Sequence, residues 1–116
     1  MPADAPTDSL PDPSPLTAYL VASPAADAIA FYAEAFGAEE ILRFEDPSGL
    51  IMHAQLRLNG ADLMLSDEME QMGALAPQRL GGSPASLHLY TEDADAAFEK
   101  AVAAGAKALR APSDQF

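Results

Sequence analysis

Apolar positions along the chain change period in a way that marks successive elements. Leu16 to Val21 is an apolar, β-prone run that stops at Ser23-Pro24, where serine can cap a helix and proline suits its first turn. Over Ala25 to Phe36, the residues Ile29, Tyr32, Ala33 and Phe36 recur at helical spacing, and Gly37 follows as a stop. Glu39 to Glu45 and Ile51 to Leu58 are joined by Asp46-Pro47-Ser48-Gly49, whose proline and glycine fit the corners of a tight turn. Asn59-Gly60, a strong hairpin signal, then leads into Ala61 to Asp67. The predicted order is strand, helix, strand, strand, strand over residues 16–67.

After a connection over 68–85 the pattern restarts. Ser86 to Tyr90 is strand-like, Asp93 to Ala104 is helix-like, Gly105 stops it, and Lys107 to Arg110 resumes extended structure. At an offset of 68 residues, Asp27, Ala28, Ala33, Gly37 and Ala38 fall on Asp95, Ala96, Ala101, Gly105 and Ala106. Alanine-rich helices match easily by chance, but the shared strand, helix and glycine stop point to a duplicated module. Residues 1–15, with five prolines and three aspartates, cannot offset their ordering entropy by burial and are expected to be a disordered leader.

A repeated strand-helix-strand-strand-strand unit resembles the vicinal-oxygen-chelate superfamily, the glyoxalase and bleomycin-resistance fold. Ala28-Ile29-Ala30-Phe31-Tyr32 with Phe36-Gly37-Ala38 looks like its first-helix signature. Met52-His53-Ala54, Asp62 through Glu68, Gly81-Gly82-Ser83-Pro84 and Leu87-His88-Leu89-Tyr90 look like its small, mostly uncharacterised bacterial glyoxalase-like members. The resemblance implies an α+β fold of paired βαβββ modules, with residues 16–67 as the first and 86–116 as an incomplete second. It implies two more strands after Lys107 to Arg110, which the sequence ending at Phe116 does not contain. It also implies a ligand cleft between facing sheets, and homodimerisation. A strand edge left open by the short second module would itself favour pairing with another chain.

Composition narrows the partners. Six Lys and Arg against 18 Asp and Glu give a formal charge of -12, which repels a phosphate backbone, so nucleic acid is not an expected partner. The acidity suits a cationic ligand, or serves solubility alone. Without cysteine, the chain has no disulfide, thiolate metal site or cysteine nucleophile. No run approaches the length of a membrane helix and no secretory signal is present, so a cytoplasmic protein with no membrane partner is expected. There is no phosphate-binding glycine loop, dinucleotide fingerprint or serine elbow. Gly81-Gly82-Ser83-Pro84 reads as a hinge between modules.

Metal-dependent relatives take one ligand from the first strand of each module and one from the last. The resemblance places three of these positions at Thr17, Met64 and Ser86. Hydroxyls and a thioether are poor ligands for zinc, nickel or iron(II), so neither metal nor another cofactor is expected.

Period-two alternation identifies the faces turned toward such a cleft. Thr17, Tyr19 and Val21 share one in the first strand, His53, Gln55 and Arg57 in the third, and Asp62, Met64 and Ser66 in the fourth. In the fifth, Ser86, His88 and Tyr90 lie opposite Leu87 and Leu89, which are expected on the helix. The candidate ligand-binding residues are Thr17, Tyr19, His53, Gln55, Arg57, Met64, Ser86, His88 and Tyr90.

Each has a plainer reading. His53 and His88 are either acid–base groups or histidines bonded to a neighbour or water. Arg57 either forks onto a carboxylate or pairs with Asp62 or Glu45. Tyr19, Tyr90 and Met64 either wall a pocket or pack a core. Asp67-Glu68-Met69-Glu70 is a mobile flap or a solvated connection.

The leading expectation is a dimeric, metal-free protein holding a small organic molecule, with no catalytic residue assigned. The rivals are a metal-dependent lyase, isomerase or dioxygenase that recruits ligands from further C-terminal strands or a partner subunit, and a fragment that folds without ligand or activity.

Overall fold

The computed structural model describes residues 15–110 together with 112 and 113, so nearly all of the expected leader lies outside the described residues. The first module is built as its sequence pattern predicts. Strand β1 is Ala18–Val21, helix α1 is Ala25–Phe36, β2 is Glu39–Glu45, β3 is Ile51–Leu58 and β4 is Ala61–Ser66. The sheet order is β1-β4-β3-β2, with β1 parallel to β4 and the other pairs antiparallel. Tight turns join β2 to β3 and β3 to β4, whereas β1 needs the crossover through α1 to lie parallel beside β4.

Both turns follow from their residues. Asn59 and Gly60 take φ of 51° and 79°, the paired left-handed conformations of a type I′ turn. At the other turn, Asp46 Oδ1 accepts from Ser48 N–H, Ser48 Oγ–H and Leu50 N–H at 2.9, 2.6 and 2.9 Å. The Ser48 hydroxyl bond is the main reason the Asp46 carboxyl sits below its ordinary value of 3.8, with the three backbone N–H bonds from Leu50, Ser48 and Gly49 adding to it.

Helix α1 stops as expected, with Gly37 N–H bonded to Ala33 O at 3.0 Å and Ala38 N–H to Tyr32 O at 3.2 Å. Its start differs from expectation. Pro24 is the N-cap residue and no side chain of the α1 lead-in caps the helix; Ser23 lies one residue too early for its hydroxyl to do so. Asp67 does it instead, accepting Ala25 N–H at 2.7 Å through Oδ1 and Ile51 N–H at 2.8 Å through Oδ2. The strand expected to run to Asp67 accordingly ends at Ser66.

The core lies between α1 and one face of the sheet. Ala25 and Ile29 pack with Ile51, Ala54, Leu56, Leu63 and Leu65, and Leu20, Tyr32 and Leu58 close its margin. The pairings Ala54↔Leu65, Leu56↔Leu63 and Leu20↔Leu65 put these side chains on one face. Each large aliphatic side chain so buried contributes about 1.5–3 kcal/mol relative to exposure.

The connection has local structure of its own. Met69 bridges to Ala74, and a turn of 3₁₀ helix over Glu70–Met72 precedes a short helix α2 over Pro77–Leu80. Glu68 Oε1 accepts Ala76 N–H at 2.8 Å, and Arg79 pairs with Glu70 at 2.6 Å and Glu68 at 3.5 Å. Gln78 Nε2 donates to Ser23 O at 3.2 Å, tying this unit to the start of α1.

Beyond it, helix α3 spans Ala94–Ala103, with Asp93 Oδ1 accepting Ala96 N–H at 3.0 Å as its cap. It packs against α1. The strands expected at 86–90 and 107–110 do not form among the described residues. An extended run becomes a strand only where a neighbour takes its N–H and C=O groups. Segment 86–90 is instead tied to the β3–β4 turn, Asn59 Nδ2 donating to Tyr90 O at 2.9 Å. The α+β class holds, with one complete βαβββ unit followed by a further helix.

Candidate ligand-binding face

The sheet face turned away from α1 carries most of the candidate residues. Across it, Tyr19 pairs with Met64, Met64 with Gln55, and Gln55 with Leu42. One row along, Asp62 pairs with Arg57 and Arg57 with Glu39; on the other side Phe44 pairs with His53. Paired residues point the same way, so strand parity brings Tyr19, His53, Gln55, Arg57 and Met64 together as the alternation predicts.

At one end of this face is an aromatic belt. The Tyr19 hydroxyl lies 2.8 Å from His53 Nδ1, within hydrogen-bond distance. The Tyr19 and His53 ring centroids are 5.5 Å apart, and Phe44 stacks on the other side of His53 at 6.1 Å. Tyr19 is 49% exposed and Phe44 60%, so the belt is open to a ligand. Phe44 is the residue sequence reasoning missed. Its strand reads Glu-Glu-Ile-Leu-Arg-Phe-Glu without alternation, and register shifts between Glu40 and Leu42 and between Phe44 and Glu45 disturb the parity further.

At the other end an ion pair is fixed. Arg57 Nη2 donates to Asp62 Oδ1 at 3.0 Å, with the Asp62 side chain only 2% exposed. Of the two acids expected to compete for Arg57, Asp62 holds it, while Glu45 faces Arg43 at 3.7 Å. Arg57 Nε is buried without a hydrogen-bond partner among the described residues. Between the two ends lies Gln55, 8% exposed.

The remaining candidates lie elsewhere. Thr17 is half-buried just before β1. Ser86 is exposed and borders, with Tyr19, a groove of about 820 Å³ between β1, α1 and the connection. His88 and Tyr90, their rings 4.7 Å apart, line a cavity of about 350 Å³ with Tyr32, Phe36, Leu58 and Leu63. That cavity is on the helix side of the sheet. Leu87 and Leu89 line it as well, so the expected division of 86–90 into a helix-facing and a cleft-facing set is not observed; parity has no meaning for a segment that is not a strand. Burial raises the Tyr32 phenol, keeping it neutral there.

The residues present do not fit a catalytic divalent metal. Positions 17, 64 and 86 offer two hydroxyls and a thioether, and no three His, Cys, Asp or Glu side chains converge among the described residues.

Comparison with known proteins bears on the same architecture. Residues 16–116 match the family model described as Glyoxalase/Bleomycin resistance protein/Dioxygenase superfamily. The chain is 44% identical over 104 residues to an uncharacterized protein of Mycobacterium bovis, covering 87% of this chain and 68% of that protein. An uncharacterized protein of Mycobacterium tuberculosis matches with the same identity, with 61% of its length covered. The chain thus spans about three-fifths to two-thirds of the length of these relatives. Among solved structures, a gene product from Arabidopsis thaliana aligns with a TM-score of 0.62 and 28% identity, over 89% of this chain and 80% of that one. TioX from Micromonospora sp. ML1 aligns at 0.59 and 21%, over 88% and 80%, a likeness of fold alone.

Proposed function

We propose, from the premise that this chain belongs to the glyoxalase/bleomycin resistance protein/dioxygenase superfamily, that it binds a small planar organic molecule without a metal, using the open sheet face as one wall of a cleft. The observation that supports this most directly is the exposed belt of Tyr19, His53 and Phe44. Aromatic groups held in place by a hydrogen bond and by stacking offer a flat apolar surface at small entropic cost. The formal charge of -12 favours a cationic ligand over an anionic one through the long-range field. A second copy of the chain, presenting the same face, supplies the opposite wall.

The test is a stability screen of planar organic compounds, cationic and neutral, alongside zinc, nickel and iron(II). A compound that raises Tm in the wild type and not in Tyr19→Ala supports the reading. A rise of several degrees with a divalent metal alone overturns its metal-free part. Light scattering that reports a monomer with ligand bound removes the second wall.

A further inference from the structure

Gln55 stands out on the open face. It occupies the centre of the row Tyr19, Met64, Gln55, Leu42, so a carboxamide sits between a thioether and an aliphatic chain. It is 8% exposed, and among the described residues its carboxamide makes no hydrogen bond. Both amide atoms still reach the surface of the face, since the one sealed orphan atom is Arg57 Nε. With no protein partner, the donor and the acceptor of this carboxamide are left to whatever meets the face, water or a ligand.

We infer that Gln55 is a recognition group for a neutral cis-amide edge, a lactam or imide whose N–H and C=O lie side by side. This rests on the reading of the open face as a ligand wall. A carboxamide presents a donor and an acceptor in one plane, and a cis-amide returns the complementary pair as two parallel hydrogen bonds. A carboxylate is the other common group with two-point geometry, but when ionised it has no donor. It also meets a chain of formal charge -12, while Arg57, two residues along β3, is held by Asp62 at 3.0 Å. Met64, across the strands from Gln55, and His53, the next residue along β3 on this face, border the same surface.

Phthalimide and N-methylphthalimide differ in this edge alone. Titrated into the full chain and followed by NMR at Tyr19, His53, Met64 and the Gln55 side-chain amide, phthalimide is expected to bind about tenfold more tightly, the worth of one neutral hydrogen bond. In Gln55→Leu, which suits its apolar neighbours, the two are expected to bind alike. Equal binding to the wild type, or a preference that survives in Gln55→Leu, overturns the inference and leaves the ligand wall standing. If neither compound perturbs the face, the inference falls. The wall falls with it only if the wider stability screen is also blank. Because the wild-type comparison needs no variant, a misfolded Gln55→Leu would not rescue the idea.

Discussion

Asp67 caps helix α1 from 42 residues away, its Oδ1 accepting Ala25 N–H at 2.7 Å. The same carboxylate takes Ile51 N–H at 2.8 Å, so one side chain joins the start of the helix, the start of β3 and the end of β4. Such charge-assisted bonds are stronger than neutral ones. Asp67→Ala is expected to lower stability by about 2–3 kcal/mol in urea unfolding. Asp67→Asn, which keeps one acceptor, is expected to lose roughly half as much on the same scale. Equal stability of wild type and Asp67→Ala would show that water replaces the carboxylate at no cost.

Arg57 and Asp62 make a second test of buried charge. With the Asp62 side chain 2% exposed, Arg57→Met strands a carboxylate, and a loss of about 2 kcal/mol is expected after allowing for the partial exposure of Arg57. The double variant Arg57→Met with Asp62→Leu is expected to recover most of that loss. Thermal melts of the single and double variants check this, and a double variant weaker than the single one would show that the Asp62 carboxylate is not stranded when Arg57 is removed.

The Asp46 turn carries a pH dependence whose sign follows from its cause. Its carboxyl is held below 3.8, chiefly by the Ser48 hydroxyl. A depressed folded value means that the contribution is complete above 3.8 and is lost as pH falls through the lower folded value. Ser48→Ala is expected to bring the Asp46 titration, followed by carboxyl carbon shifts, back toward 3.8. A titration unchanged by that substitution would assign the shift to the backbone N–H groups of the turn.

Phe44 and Leu56 should separate binding from folding. Leu56 is 1% exposed, and Leu56→Ala is expected to cost about 2–5 kcal/mol. Phe44 is 60% exposed, so Phe44→Ala is expected to cost less than about 1 kcal/mol while moving the His53 ring resonances, whose stacking neighbour it removes. A large stability loss in Phe44→Ala would mean that the aromatic belt is part of the core.

The first module was legible because its signals are local. Asn59-Gly60 fixes one hairpin, the spacing of Ile29, Tyr32 and Phe36 fixes the helix face, and period two along β3 and β4 fixes which side chains share a surface. The cap of α1 was not legible, because Asp67 reaches Ala25 only after the sheet has formed. Segment 86–90 failed for a related reason. Its alternation of Leu87 and Leu89 with His88 and Tyr90 is the pattern of a strand, but a pattern supplies no neighbour. Five of the nine candidate residues share one face; His88 and Tyr90 were misplaced with the missing strand, and Phe44 was hidden by irregular pairing in β2.

Arg79 pairs with Glu68 and Glu70 across the connection, and directly after α2 Gly81 and Gly82 take φ of 83° and 152°. Two successive glycines let the backbone change direction there in conformations that other residues rarely adopt. A side chain at either position would meet open space and still strain the chain, so the bend is set by backbone conformation and not by packing.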